Sequence, residues 1–391
     1  MKTYICAPVR SAIGSFQGSL AKFTAPDLGA LSLAATLKAA NVEPGDIDEV
    51  FMGCVLTAGV GQAPARQASI RAGVPDKVPA TTVGKVCGSG LKAVMLADLT
   101  LRAGEARAVL AGGMESMSGT PYLIPKIREG LRLGNGELID SMINDGLWDV
   151  YNNFHMGTAA ELCARELKIS REEQDDFAAA SYSRAQRSNA AGHFKDEIFP
   201  IQVPGKKGPT VFETDEEPGK GDLTKFATLR PVFDPKGTVT AANASSLNDG
   251  AASMLLCTEE FVKEKGLRPL GRILCQAQAA QKPEWFTTAP ALSVELLLKK
   301  AEVQRDAIDL WEINEAFAAV AIVNTRLLKL DPAKINIRGG AVALGHPIGA
   351  SGARILVTLL HALRAEGKRL GVASICLGGG EAASVLVESL G

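Results

Sequence analysis

Apolar positions along the chain fall into short strand-like runs separated by longer helical ones. Met1 to Val9 fits a first core strand, and Glu49 to Met52, Ala108 to Ala111, Leu310 to Ile313 and Leu370 to Ile375 are further short apolar runs. Leu91 to Leu101 is apolar around most of its circumference and is closed by Gly104, the pattern of a buried helix with a glycine stop. Ile355 to Leu363 predicts another apolar helix. Ser170-Arg171-Glu172-Glu173 fits a capping box, which opens a helix running to about Ala191. Strands alternating with long helices predict an α/β fold, with largely parallel sheets covered by helices on their faces.

The pattern occurs twice. Ser32 to Asp48 aligns without gaps on Ser293 to Asp309 at an offset of 261, with seven of 17 pairs identical, and each copy runs into an apolar strand-like stretch. Ser89-Gly90 falls on Ser351-Gly352 at an offset of 262. In the second copy the strand ending near Ile375 turns through Gly378-Gly379-Gly380 straight into Glu381 to Leu386. In the first copy Gly112-Gly113 is reached, but the matching Gly250 to Leu255 comes only after a long interval. The expected organisation is therefore an N-terminal lobe of residues 1–116 plus 247–268, an inserted lid or loop domain of residues 117–246, and a C-terminal lobe of residues 269–391. Duplicated lobes meeting about a pseudo-twofold would bring the two equivalent loops to one cleft.

A net charge of -1 and a pI near 6.5 offer no positive excess to attract nucleic acid or an anionic membrane. No apolar run approaches the roughly 18 to 20 residues of a membrane span, and the C-terminal Glu388-Ser389-Leu390-Gly391 is no peroxisomal address, so the cytoplasm is the default location. The seven cysteines are scattered, without a CxxC pair, which speaks against a structural zinc site and for free thiols; no metal is expected.

Four glycine-flanked features carry candidate chemistry. Cys87, in Val86-Cys87-Gly88-Ser89-Gly90, precedes a helix, where unpaired N–H groups and the helix dipole favour a thiolate. Its bland alternative is a small hydrophobe in a tight turn. His346 stands before Pro347 in a glycine-rich turn, outside a helix interior. Of the other histidines, His361 reads as core filler and His193 as a solvated helix-end residue, while His155 is open. The third feature is Glu312 to Ala318 around Asn314, and the fourth is Cys376 to Gly380. A nucleophilic thiol, an imidazole to activate it and a second thiol to move another proton are the parts for acyl transfer through a thioester. Glycines beside both cysteines free backbone N–H groups to face an oxyanion.

KVCGSGLKA around Cys87, NEAFA from Asn314, RGGAVALGHPIGASGAR from Arg338 to Arg354 and CLGGG from Cys376 together resemble the signature blocks of the thiolase family, in order and spacing. HMGTAAE from His155 and TAANASSLNDGAA from Thr240 are similar to the blocks of that family's loop region. The resemblance covers essentially the whole chain. It implies a duplicated α/β core of two pseudo-twofold-related lobes, with layered helices, mixed sheets and an inserted loop domain. It also implies an acetyl-CoA C-acyltransferase of fatty acid metabolism that runs a reversible Claisen condensation. Coenzyme A thioesters are then substrates, no separate cofactor is needed, and the assembly is a homodimer or homotetramer.

By the same resemblance, Cys87 takes the acyl group, and His346 accepts its proton and shares one oxyanion site with a water held by Asn314. Cys376 acts as acid and base, and the N–H groups of Cys87 and Gly378 form a second oxyanion site. His155, Met156, Ala241, Ser245, Ala316 and Phe317 would line the pantetheine tunnel and acyl pocket. The chain departs from the family pattern at Arg338, Glu381-Ala382, Lys220, Ser246 and the aromatic stretch Trp285-Phe286. Rival readings are a ketoacyl synthase, which Cys376 within CLGGG tells against, a CoA-binding scaffold without turnover, and a redox sensor pairing Cys87 with Cys376.

Overall fold

The structure, a computed structural model, describes residues 2–391. Nine strands form one unbroken path: β1 (Thr3–Ser11), β2 (Glu49–Gly53), β3 (Ala80–Val83), β4 (Ala108–Ser116), β5 (Asn248–Cys257), β6 (Gly271–Ala280), β7 (Leu310–Ile313), β8 (Leu370–Leu377) and β9 (Glu381–Ser389). The helices used below are α1 (Ala25–Ala40), α2 (Ser89–Ala103), α3 (Met156–Glu166), α4 (Arg171–Ala191), α5 (Ala289–Ala301), α6 (Ala318–Leu327) and α7 (Ile348–Ala365). Among the described residues no helix is long and apolar enough to cross a membrane.

Strand order is β7-β8-β9-β6-β1-β5-β4-β2-β3. Read outward from the central antiparallel pair β6 and β1, each half runs through its first strand, its last, the one before the last and its second, with β3 added at the N-terminal edge, so the duplication is built into the topology. The expectation of largely parallel sheets is corrected. Only β7–β8, β4–β2 and β2–β3 are parallel, and the other five neighbours are antiparallel. Each half needs both kinds, because its helical crossovers make parallel pairs while its closing hairpin and its join to the other half are antiparallel.

The two copies repeat in detail. Asp48 accepts from the N–H groups of Arg107 and Ala108, at 2.7 and 2.9 Å, and Asp309 accepts from those of Arg369 and Leu370, at 3.0 and 2.9 Å. In the second copy β8 turns directly into β9, with Leu377 opposite Glu381, and Gly379 and Gly380 take φ of +87 and +80. A side chain would be strained there. In the first copy β4 and β5 pair in the same way, with Ser116 opposite Asp249, while the chain between them leaves the sheet and returns.

Side chains alternate across the sheet, and both faces are covered. On one face Val109, Met254, Ala373 and Val385 pack on α2 and α7, the two equivalent central helices. On the opposite face Leu110 and Leu255 meet α1, and Val372 and Leu386 meet α5. The central helices cross at a closest approach that only glycine permits: a Cβ on Gly352 would lie 2.5 Å from the Leu91 nitrogen, and one on Gly90 would lie 2.9 Å from the Ala353 nitrogen. That contact sets the N-termini of α2 and α7, and the loops before them, side by side.

The excursion between β4 and β5 is clipped to the core by Arg10 on β1. Its fully buried guanidinium donates to Glu197 at 2.6 Å and to both oxygens of Asp215 at 2.7 and 2.9 Å. Removing either carboxylate would leave a buried charge short of its partners, a cost of about 3 to 5 kcal/mol. The excursion is thereby held as one face of a cavity.

Candidate active site

A cavity of about 430 Å³ opens where the excursion meets the ends of β3, β8 and the loop before α7. Cys87, His346 and Gly378 lie on its wall, and so do His155, Met156, Ala241, Ser245, Ala316 and Phe317. Asn314 and Cys376 are not on the wall; both are buried behind it.

The turn that presents Cys87 is under local strain. Val86, a β-branched residue, is held at φ +44. Ser89 over-determines the turn, since its hydroxyl donates to the Val86 carbonyl at 2.7 Å and accepts from the Lys85 N–H at 2.8 Å. Gly88 leaves room for Leu377, whose Cδ2 would stand 2.5 Å from any Cβ added there. Helix α2 begins at Ser89 with Gly88 as its N-cap, so the cysteine stands one residue before the cap.

The cysteine sulfur faces the N–H groups of Gly378 and of Cys87 itself. Even so, burial pushes the Cys87 thiol up to about 12; the two N–H groups oppose this, and the Glu115 carboxylate adds to it. The expectation that the helix end leaves a thiolate at rest is thus corrected: desolvation outweighs the dipole. At rest Cys87 is a thiol. A thiolate fraction below its pKa rises about tenfold per pH unit. Alkylation of Cys87 by iodoacetamide should therefore climb steadily between about pH 7 and 10, and a plateau near pH 7 would show a thiolate–imidazolium pair instead.

His346 is held at two atoms. Its backbone N–H donates to Asn248 Oδ1 at 2.8 Å, and its Nδ1 lies 2.6 Å from the Ser351 hydroxyl, which donates to the Pro347 carbonyl at 3.0 Å. A serine has one hydroxyl proton. With that proton on the Pro347 carbonyl, Ser351 accepts from Nδ1–H, and Nε2 keeps a lone pair with no partner among the described residues. Burial, and then the Arg354 charge, lower the imidazole to about 3, so it is a neutral base.

Cys376 is the last residue but one of β8, opposite Ala382, and sits among Met156, Phe286, Phe317 and Val320. Burial raises its thiol far above the ordinary range, and negative charge on Cys87 raises it further, so the two sulfurs feel each other. Asn314 opens the link between β7 and α6; its N–H donates to the Ser374 carbonyl at 3.0 Å, and its Nδ2 has no partner among the described residues.

Other residues of the cavity wall are tied to the same link. Ser245 donates to the Ala316 carbonyl from both its N–H, at 3.0 Å, and its hydroxyl, at 2.9 Å, and Ala244 bridges to Phe317. His155 caps α3, its Nδ1 accepting from the Gly157 N–H at 3.0 Å, and its ring stacks on Phe233 at 4.7 Å. Burial lowers its pKa, which leaves a neutral ring with the proton on Nε2.

The sequence matches the family models for the thiolase N-terminal domain over residues 3–260 and the thiolase C-terminal domain over residues 267–389. The chain belongs to the thiolase family. It is 50% identical over 386 residues to an acetyl-CoA acetyltransferase of Cupriavidus necator, covering 98% of both chains. It is 48% identical over 390 residues to one of Schizosaccharomyces pombe, covering 99% of this chain and 98% of that one. A thiolase from Ascaris suum, solved in complex with coenzyme A, superposes with a TM-score of 0.95 at 41% identity over the full length of both chains.

Within this thiolase the departures from the family pattern have structural places. Arg338 is buried away from the cavity, donating to the His193 carbonyl at 2.9 Å and to Glu197 at 3.4 Å. Glu381 pairs with Lys85, and Lys220 with Ser15 and Glu217. Ser246 is on the cavity wall and donates to Asn248 Oδ1 at 2.9 Å. Phe286 is on that wall too and packs edge-on to Phe317 at 6.3 Å.

Sequence reasoning missed Met117, Met142, Leu147 and Ile348, which close one side of the cavity. The first three come from the excursion, where no periodicity marks a residue as facing inward. It also missed Ser351 and Asn248, the partners of His346. For Ser351 the signal was present, because it is the duplicate of Ser89.

Proposed function

We propose that this thiolase joins two molecules of acetyl-CoA into acetoacetyl-CoA and free CoA, and runs the reverse thiolysis, through an acyl group on Cys87. The observation that carries the reading is the facing of the Cys87 sulfur to two backbone N–H groups, in a cavity shared with a neutral imidazole whose Nε2 is free. When a thioester carbonyl enters, Cys87 attacks it as its proton passes to His346 Nε2. The bond to the CoA sulfur then breaks, and that sulfur leaves with the proton. The Cys87 and Gly378 N–H groups meet the charge on the carbonyl oxygen, and losing one such donor costs about 3 to 4 kcal/mol in the barrier.

In the second half Cys376 gives its proton to His346 Nε2, free again once the CoA thiol has left, and as thiolate removes an α-proton from the second acetyl-CoA. The His346 imidazolium and the water held by Asn314 donate to the enolate oxygen. The enolate carbon attacks the acyl-cysteine, the Cys87 carbon–sulfur bond breaks, and the His346 proton passes to the Cys87 sulfur, which leaves Cys376 a thiol and His346 neutral. His155, Met156, Ala241, Ser245, Ala316 and Phe317 line the path of the pantetheine arm and acyl group. The protein is read as a cytoplasmic homodimer or homotetramer, in keeping with its family.

Phe286, Phe317, Met117 and Leu147 put bulky apolar side chains on the cavity wall, and this supports a preference for a short acyl chain. Forcing extra methylenes into a packed site costs about 1 to 3 kcal/mol. Thiolysis of acetoacetyl-CoA should therefore exceed that of a C8 3-ketoacyl-CoA by about 10-fold or more in kcat/KM. Equal or faster cleavage of the C8 substrate would overturn the acetyl assignment.

A further inference from the structure

Behind His346, two turns into α7, lies Arg354, a fully enclosed guanidinium. Its Nη2 is 3.5 Å from Asn314 Oδ1, and its Nη1 is 3.5 Å from Glu312 Oε2. An arginine has five N–H donors and no acceptor. An asparagine amide can present either its oxygen or its NH2 to a neighbour, and the neighbour decides which. Because Arg354 can only donate, the end of Asn314 that meets it is the oxygen. The NH2 is then turned the other way, where Nδ2 is buried and has no partner among the described residues. The asparagine backbone is fixed independently, by its N–H bond to the Ser374 carbonyl at 3.0 Å.

We propose that Arg354 is a positioning residue that selects the amide orientation of Asn314, so that the site offers a donor to the enolate oxygen. The proposal rests on the reading of Asn314 given above. In the opposite orientation a carbonyl oxygen would accept from the held water the proton that the enolate oxygen needs, and a stabilising contact would become a competing one. Charges facing Arg354 from the surrounding elements are Glu312 on β7, Glu315 in the link after it, Arg10 on β1 and Glu197 from the excursion. Of these, only Glu312 is ion-paired with Arg354.

The test is a double-mutant cycle on the full chain, with Arg354→Met, Asn314→Ala and the pair. Arg354→Met should still take acetyl on Cys87 in full stoichiometry, because acylation uses the Cys87 and Gly378 N–H groups. Its condensation kcat should fall on the order of 10- to 100-fold, with KM for acetyl-CoA within about 2-fold. Arg354→Lys, which also only donates, should recover part of that loss. On the Asn314→Ala background Arg354→Met should cost less than about 2-fold, since the amide through which it acts is gone. Multiplying losses would sink the proposal and leave the Asn314 reading intact. Normal condensation by Asn314→Ala alone would sink that reading and the proposal with it. If Arg354→Met does not fold by thermal melting, Glu312→Gln/Arg354→Met removes the ion pair as a unit and enters the same cycle.

Discussion

Cys87→Ala takes up no acetyl group from acetyl-CoA and loses at least about 10⁴-fold in turnover, because a nucleophile that forms a covalent intermediate has no substitute in its own site. Intact-mass measurement after mixing with acetyl-CoA, without a second substrate to discharge the intermediate, reads the result directly. The wild-type chain gains one acetyl group and the variant none. Four cysteines off the cavity wall, Cys54, Cys163, Cys6 and Cys257, give no alternative. Cys54 donates to Glu115 at 3.6 Å and is buried beside that negative charge, and Cys163 sits in an apolar cluster with Ala319 and Val323. Cys6 and Cys257 are buried 3.9 Å apart in the apolar cluster under α1. An adduct that persists in Cys87→Ala and maps to another cysteine would show that the strained turn at Val86 has another purpose.

Much of the core could be read from the chain because the duplication is a repeated solution to the same packing problem. Asp48 and Asp309 recur at one offset and bind equivalent backbone N–H groups, and Gly90 and Gly352 recur because two helices must pass within backbone contact. The join between β1 and β6 was not readable. It depends on backbone pairing between two strand edges, and no side-chain pattern announces which edges meet. The capping box at Ser170 and the end of α4 at Ala191 were legible for the opposite reason, since caps are local side-chain bonds.

At the site the reacting groups were legible as glycine-flanked motifs, whereas their protonation states were not. Desolvation is a property of what surrounds a group, and for Cys87 those surroundings include Glu115 and Gly378, distant in sequence, while for His346 they include the Arg354 charge two turns along the next helix. A helix N-terminus alone therefore suggested a thiolate where the folded protein keeps a thiol. Arg338 teaches the same lesson from the other side. It departs from the family pattern within the histidine block, yet its guanidinium is spent on Glu197 and two carbonyls outside the cavity.

Cys376→Ser separates the two half-reactions. The acyl transfer onto Cys87 needs the Cys87 thiol, the His346 lone pair and two backbone N–H groups, none of which the substitution removes. The variant should acetylate Cys87 to full stoichiometry at a rate near that of the wild type. Carbon–carbon bond formation needs a base that can ionise next to Cys87, and serine, less acidic than cysteine by several pKa units, cannot supply one at the same buried place. Condensation should fall by about 10²- to 10⁴-fold, the range for loss of a positioned general acid–base group. Quenched-flow detection of the acetyl-enzyme alongside steady-state acetoacetyl-CoA formation would show the intermediate accumulating while product does not. The substitution removes little volume from the cluster of Met156, Phe286, Phe317 and Val320, so melting temperature should change by only a few degrees, about what 1 kcal/mol produces in a chain of this size. Condensation at the wild-type rate would mean that the proton is taken elsewhere. Acylation lost together with condensation would mean instead that the second sulfur is needed to hold the first in place.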